Sequence, residues 1–571
     1  MQASFRLPSK KQIKYLAHLL TPMEKRIFVF FLVLFIVSGV GLLILLDKNY
    51  SIAQPIPGGS LKEGIVGSPT SINPLLAISD ADRDLVDLIY AGLMRADGKG
   101  GLEPELAERF NVSDDGLIYT FWLKDNLAWH DNSKLTADDV IFTIEMVKNP
   151  SIKSPIRANW EGVETEKVDD KTIKFILKRP YVPFLENTKI GILPKHLWAK
   201  VLSQEFNLTP LNIAPIGSGP YKIESLKKNP TGGISSIKLE SFKYYQPHEP
   251  YLKNITFDFY PREEELLTAY QNGEIETLNI APKAVVDIET ENKNLLHIAL
   301  PQIFAVFFNQ DASDILSKYV IRQALNASID RESIINSVYH GYALPQYSPI
   351  FPNIGSNKTA TGEDLSKEEI RTMLEEKGWE PNEEGFLEKE KEDDDPLQLK
   401  FTLSTSDNPE LMAVGKILQD TWREIGINVD LQIFELGDLE KNVIQPREYE
   451  TLLFGQVVGF NPDPFAFWHS SQKDYPGLNV AMYTNPKADR LLEDARTSID
   501  LATHDEKYEE FQKELQKELP ALFLYSPSNL YIFPKDIRGV EIERITLTAE
   551  RFSQIEQWYK NTQNIWKILA R

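Results

Sequence analysis

Residues 27–46 (IFVFFLVLFIVSGVGLLILL) form an apolar run without a single charge. As a helix rising 1.5 Å per residue, the run is long enough to cross the ~30 Å hydrocarbon core of a bilayer. A cleaved signal peptide has a shorter apolar region followed by a small-residue cleavage site. This run is full-length and ends in Leu45-Leu46-Asp47-Lys48, so an uncleaved anchor is expected, with cleavage as the alternative. Arg6, Lys10, Lys11, Lys14, Lys25 and Arg26 precede the run against one acid, Glu24. Basic flanks stay in the cytoplasm, which places residues 1–26 inside and the bulk of the chain on the extracellular or periplasmic side. Residues 47–60 (DKNYSIAQPIPGGS) are rich in turn formers and read as a linker.

Charge separates along the same line. The first 26 residues are net +5 (six basic, one acidic), so of a total of −21 the rest carries −26. Nucleic-acid binding needs clustered Lys and Arg, so that class is excluded. The chain has no cysteine, which removes disulfides, thiolate metal sites, a cysteine nucleophile and a lipid-bearing cysteine. With 42% hydrophobic and 11% aromatic residues in 571, several large cores can be filled.

The outward part alternates strands and helices without an internal repeat, an α/β rhythm. Tyr119–Leu123, entered from the turn Asp114-Asp115-Gly116, reads as a strand, as do Leu61–Gly67, Leu397–Leu403 and Asn428–Phe434. Thr136–Lys148 reads as a helix with Thr136 as cap and Asp139 at the capping-box position. A second helix runs from the cap Asp330 to Gly341, and a third from Asn408 to Ile425. The charge runs Glu383–Asp395 and Asp505–Glu518 read as a surface loop and an exposed helix face.

Catalytic constellations are missing. The eight histidines show no metal-ligand spacing, and there is no Walker loop or dinucleotide fingerprint. Gly217-Ser218-Gly219-Pro220-Tyr221 looks superficially like a phosphate cradle. Pro220 removes an N–H, however, and no helix follows, so a tight turn into a strand is expected. Neither an enzyme nor a cofactor is anticipated.

Several segments in order resemble one family. Leu88-Ile89-Tyr90-Ala91-Gly92-Leu93 is similar to its V-Y-E-G-L segment. Leu102–Glu108 matches P-x-L-A-E, Val112–Phe121 matches S-D-D-G-x-x-Y-T-F, and Trp129–Asn132 with Leu135–Val140 matches F-H-D-G … T-A-x-D-V. Gly217–Tyr221, Arg322–Leu325 with Ile329-Asp330-Arg331, and Asp463-Pro464 with Asn479 and Tyr483 fit G-T-G-P-Y, R-Q-A-L … I-D-R and D-P … N … Y. The chain thus resembles the extracellular solute-binding proteins of family 5, the oligopeptide- and dipeptide-binding receptors of ABC importers.

The resemblance implies an α/β, two-lobed, hinged periplasmic-binding-protein-like fold (type II, cluster C) with an extra subdomain, here preceded by one transmembrane helix. Lobe 1 falls at residues 61–82, 206–298 and 533–571, its extra subdomain at 83–205, and lobe 2 at 299–532. It implies a monomer that traps peptides or peptide-like solutes between its lobes and delivers them to ABC permease and ATPase subunits. Alternatives are a surface receptor that kept the fold without transport, or a metallophore-binding relative. Contacts implied for the ligand are Ile78-Ser79-Asp80 on lobe 1 and Gln456-Val457-Val458-Gly459 on lobe 2; Trp129, Trp160, Phe460, Phe465 and Trp468 suit an apolar or stacking pocket, though most read equally as core, and Asp463 is a further candidate. The second segment reads equally as a plain core strand. The family's aspartate for the peptide amine and arginine for its carboxylate correspond here to Phe460 and Phe454. Asp80, Asp463 or Arg447 are candidate substitutes; otherwise the ligand is a longer peptide or something less charged.

Overall fold

The computed structural model describes residues 21–181, 183–285, 288, 293–351, 365–391, 394–459, 463–498 and 500–566. Two units result, one before Gly59 and after Trp558, the other Gly59–Trp558. In the first, helix α1 (Pro22–Tyr50) contains the apolar run. Its window Pro22–Leu42 has a mean hydropathy of 2.1, and none of it is buried. The segment expected to be a plain linker instead contains a strand, Ser51–Pro55, antiparallel to Thr562–Trp566, with Ser51 opposite Trp566. Its partner comes from the far end of the chain, so no local pattern announces it. Of residues 533–571, expected to complete lobe 1, those from Tyr559 on fall in this unit and the rest in the other.

The second unit is built on a twelve-stranded mixed sheet. Strand β1 (Ser60–Val66) lies parallel to Asn254–Tyr260 on one side and to Thr277–Asn279 on the other. Tyr221–Lys228 and Ile234–Ser241 extend that side as antiparallel strands. Helix α2 (Asp80–Ile89) follows β1 and buries Leu85, Leu88 and Ile89; the expected boundary after residue 82 falls within it. In the other half, β2 (Gln302–Phe308) pairs with later strands of the chain. Strand β3 (Lys400–Ser406), helix Pro409–Glu424 and strand Asn428–Phe434 form a parallel crossover unit, with Lys400 opposite Asn428. Strand β4 (Thr451–Val457) lies between β2 and β3.

Strand β5 (Ala521–Pro534) joins the halves. Its first part pairs with β2, Phe307 opposite Ala521 and Phe304 opposite Tyr525. Its second part pairs with Lys293–Ala299, Ala299 opposite Ser528. The molecule is therefore two-lobed, with one uninterrupted strand common to both halves. A separate four-stranded sheet runs in the order Ala107–Val112, Ile118–Leu123, Thr172–Ile176, Glu164–Lys167. Helix Ala137–Lys148 packs on it, and Asp139 accepts the Thr136 N–H at 2.8 Å as the capping box requires. This sheet shares one hydrophobic core with β1, since Leu61, Trp129, Phe175 and Trp558 belong to a single cluster.

The structure departs from expectation around residue 390. Leu387–Lys391 is a strand in a three-stranded sheet with Glu380–Pro381 and Asp394–Gln398, where a loop was expected. The expected strand Leu397–Leu403 is thereby split at Leu399, whose N–H bonds the Leu387 carbonyl at 2.7 Å. Leu387 is fully buried amid the charges and Leu397 packs on the same core, so both strands of the hairpin are held down.

Candidate functional site

The turn into α2 is tightly pinned. Asn73 accepts the Leu75 N–H and donates to Asn212, both at 2.9 Å. Asp82 accepts the N–H groups of Thr70 and Ser71 at 2.8 Å and the Ser79 hydroxyl at 2.7 Å. Ser79 in turn accepts the Asp82 N–H at 3.1 Å, which makes it the helix cap. Asp80 opens the helix and accepts the Thr548 hydroxyl at 3.3 Å. Of the expected contact triplet, only Ile78, 68% exposed, presents an uncommitted side chain.

The C-terminal end of α2 is held as closely. The Gly219 N–H bonds the Ile89 carbonyl at 2.9 Å, and a Cβ on Gly217 would sit 1.8 Å from that same oxygen. Only glycine permits this approach, so Gly217–Tyr221 is a packing turn. His130 completes it, accepting the Gly217 N–H at Nδ1 (3.2 Å) and donating from Nε2 to the Gly219 carbonyl (3.1 Å). That pattern requires a neutral ring, and burial pushes the His130 pKa down to about 4.

Beside α2 lies a cavity of about 560 Å³, bounded also by Pro155–Trp160, Glu186–Gly191 and Leu547–Ser553. Ile78 and Trp160, both expected to contact ligand, line it together. Trp160 is itself 1% exposed. It is held by Phe175 and Phe184 at ring distances of 5.6 and 5.7 Å, a rigid wall to the cavity.

On the other lobe, β4 is paired along its whole length with β2 but touches β3 only through Leu403–Thr451 and Ser404–Leu452. The Thr405 hydroxyl reaches the Leu453 carbonyl at 3.0 Å, so Leu453 points its main chain toward that side. Alternation then turns the N–H and C=O of Gly455 and Val457 the same way. The Val458 N–H points oppositely, to the Pro301 carbonyl at 2.8 Å. Among the described residues no strand pairs with this edge beyond Leu452. Val457 is 50% exposed, and Gln456 reaches the Leu478 carbonyl at 3.5 Å. Gly459 follows with φ +73°. A Cβ on Gly455 would lie 2.6 Å from the Phe304 ring, which stacks on Tyr525.

The remaining expected contacts are packed or bonded as follows. Asp463 is bound at 2.7 Å by Arg496, whose guanidinium lies 4.3 Å from the Phe465 ring centre and 5.1 Å from that of Tyr181. Burial raises the Asp463 pKa, with Arg496 opposing. Trp468, 1% exposed, packs on Phe523 and Tyr483. Phe460 lies outside the described residues. Arg447 donates to the carbonyls of Ile444, Lys473 and Gly477 at 2.6–2.9 Å, so it does not replace the missing clamp. Phe454, at the position of the family's arginine, packs on the core of β2 and β4.

Asp87 was not anticipated. It lines the cavity, and its sole sequence signal is an acid set within Leu85-Val86-Asp87-Leu88-Ile89. Among the described residues no group of three or more His, Cys, Asp or Glu is placed to hold a metal ion.

Comparison with known proteins agrees with this architecture. The chain is 29% identical over 521 residues to the oligopeptide-binding protein AppA of Bacillus subtilis, covering 89% of this chain and 93% of AppA. The solved structure of that protein with a nonapeptide superposes with a TM-score of 0.69 at 28% identity, covering 89% of this chain and 99% of the other. NikZ from Campylobacter jejuni in complex with Ni(L-His) superposes with a TM-score of 0.70 at 26% identity, covering 88% of this chain and all of NikZ. Residues 101–477 match the model described as bacterial extracellular solute-binding proteins, family 5, middle, and the chain belongs to that family.

Proposed function

We propose that this protein captures peptides or peptide-like solutes outside the cell, in the cleft between its lobes, and passes them unaltered to an ABC permease driven by ATPase subunits. The observation that carries this reading is the open edge of β4. Gly455 and Val457 present main-chain donors and acceptors that no neighbouring strand among the described residues takes up. An extended peptide satisfies such an edge as an added strand, drawing affinity from groups common to every sequence. The nonapeptide complex of the B. subtilis relative supports the same ligand class. Direct capture of a bare metal ion, the alternative suggested by the nickel–histidine complex, lacks a ligand cluster among the described residues.

In this reading residues 61–82, 206–298 and 533–558 form lobe 1, 83–205 its extra subdomain and 299–532 lobe 2, with β5 as the shared hinge strand. The protein acts as a monomer held in the membrane by α1, its N-terminus in the cytoplasm. Phe454 carries no charge, Arg447 is engaged by three carbonyls and Asp463 is paired with Arg496 through one of its oxygens, which favours peptides whose ends are not both bound there, since burying an unpaired terminal charge is costly.

The test is native mass spectrometry of the full chain released from detergent. A ladder of co-purifying masses spaced by amino-acid residues is expected. A single non-peptide mass in every preparation would overturn the peptide assignment.

A further inference from the structure

The cavity beside α2 contains more charge than a passive hollow needs, and all but two of those groups are engaged. Arg95 bonds Glu103 at 2.7 Å and Glu556 at 2.9 Å. Glu105 accepts the Tyr245 hydroxyl at 2.8 Å and the Gly92 N–H at 2.9 Å. Lys189 bonds Glu550 at 2.6 Å and Glu186 at 2.9 Å. Asp87 is different. One of its carboxylate oxygens is shut off from solvent and has no hydrogen-bond partner. Arg83, one turn earlier on the same helix, also lines the cavity, but no cation among the described residues lies within ion-pair distance of Asp87.

Leaving a buried carboxyl oxygen unpaired forfeits its hydration with nothing in return. Asp87 is nevertheless only partly buried and lines the cavity, so a cation there can share the charge of the carboxyl as a whole. The surroundings fix what fits. With Asp87 ionised, as it is once a cation is bound, Arg83, Arg95 and Lys189 stand against Asp87, Glu105, Glu186 and Glu550, so the lining carries +3 and −4, a net −1. One positive charge neutralises it. Val86, Ile156 and Ile190 line the walls beside Trp160, which suits an alkyl stem leading to the charge.

We propose that Asp87 forms the floor of a cation subsite, which takes an alkylammonium or guanidinium group of the captured solute: a peptide's terminal amine, or the head of a lysine or arginine side chain. The subsite rests on the peptide reading only for its two peptide sources; the cation chemistry stands on the cavity. It supplies on lobe 1 the charge recognition that Phe454, Asp463 and Arg447 do not offer on lobe 2.

A proton accompanies the exchange. Burial, reinforced by the carboxylates of Glu550, Glu105 and Asp84 and opposed by Lys189, raises Asp87 well above the usual carboxylate range. These groups face it from the C-terminal segment, from the stretch after strand Leu102–Pro104, from its own helix and from Glu186–Gly191. An entering cation pulls this raised pKa back down, so binding drives the carboxyl toward ionisation and a proton is released. Cation affinity accordingly rises with pH.

Calorimetry on the full chain in detergent tests this with four pentapeptides: penta-alanine with a free amine, N-acetylated penta-alanine, and two N-acetylated alanine pentapeptides whose central residue is lysine or norleucine. Thermal shifts with n-butylammonium against n-butanol form a second arm. The wild type should bind a cationic peptide roughly tenfold or more above its neutral counterpart. In Asp87→Asn that preference should vanish while neutral-peptide affinity is kept. The free-amine and lysine pairs tell the two sources apart. Titration in two buffers should show proton release with the wild type and none with the variant. An unchanged cation preference in Asp87→Asn overturns the subsite. If no peptide binds but n-butylammonium stabilises the wild type and not the variant, the subsite stands and the peptide reading fails. If n-butylammonium acts equally on both proteins and no peptide binds, the subsite falls.

Discussion

Single residues in this protein are pinned in ways that couple its stability to pH. Arg551 is fully buried and bonds Asp84 at 2.5 Å and Glu63 at 2.9 Å. Glu63 also accepts from Tyr531 at 2.7 Å and from Thr277. Burial raises Asp84 to about 6 against the pull of Arg551, so its linkage runs opposite to that of His130. The two are separated by comparing the wild type with His130→Asn, which preserves one acceptor and one donor. Free imidazole titrates near its usual 6.5, and His130 in the folded chain near about 4. Between those values the unfolded chain binds the extra proton, so this contribution is complete above pH 6.5 and is lost as pH falls toward 4. Denaturant unfolding should show the wild type losing ~3 kcal/mol more than His130→Asn across that window. Parallel pH profiles would show that the ring is not held neutral.

At the scale of elements, β4 makes the sharpest forecast. Val457→Pro deletes an N–H that has no strand partner among the described residues, so the melting temperature should barely move. Peptide affinity, read by calorimetry, should fall roughly fivefold, the ~1 kcal/mol of one hydrogen bond. Equal affinity in the variant would mean that peptides do not add to this edge. Elements with local signals were legible from the chain alone. The helix from Asn408, the helix capped by Asp330 and the strand Asn428–Phe434 stand where their caps and alternation put them. Elements made by distant partners were not, as with Ser51–Pro55, whose mate is Thr562–Trp566. The same division holds for the site. The contact segments came from family resemblance, and Ile78 and Trp160 do meet at one cavity. Asp87 escaped notice because a lone acid in an apolar run gains meaning only when its lack of partners is seen. The three carbonyls that engage Arg447 were likewise invisible, because a basic side chain carries no mark of its partners in sequence.

For the molecule as a whole, α1 decides where the receptor works. Its outward-facing apolar residues, among them Phe28, Phe31, Leu34 and Phe35, have no place in water. If the helix is retained, alkaline carbonate should leave the protein in the membrane pellet, and the intact mass should include residues 21–46. Release into the supernatant with a mass starting beyond Leu46 would instead identify a cleaved signal. The sharing of β5 by both lobes has a further consequence, for the order of assembly. β2 and Lys293–Ala299 both wait for Ala521–Pro534, and Glu63 and Asp84 wait for Arg551 before their charge is met. Neither half can complete its sheet before Ala521–Pro534 is available, so both sheets are finished only with the last part of the chain.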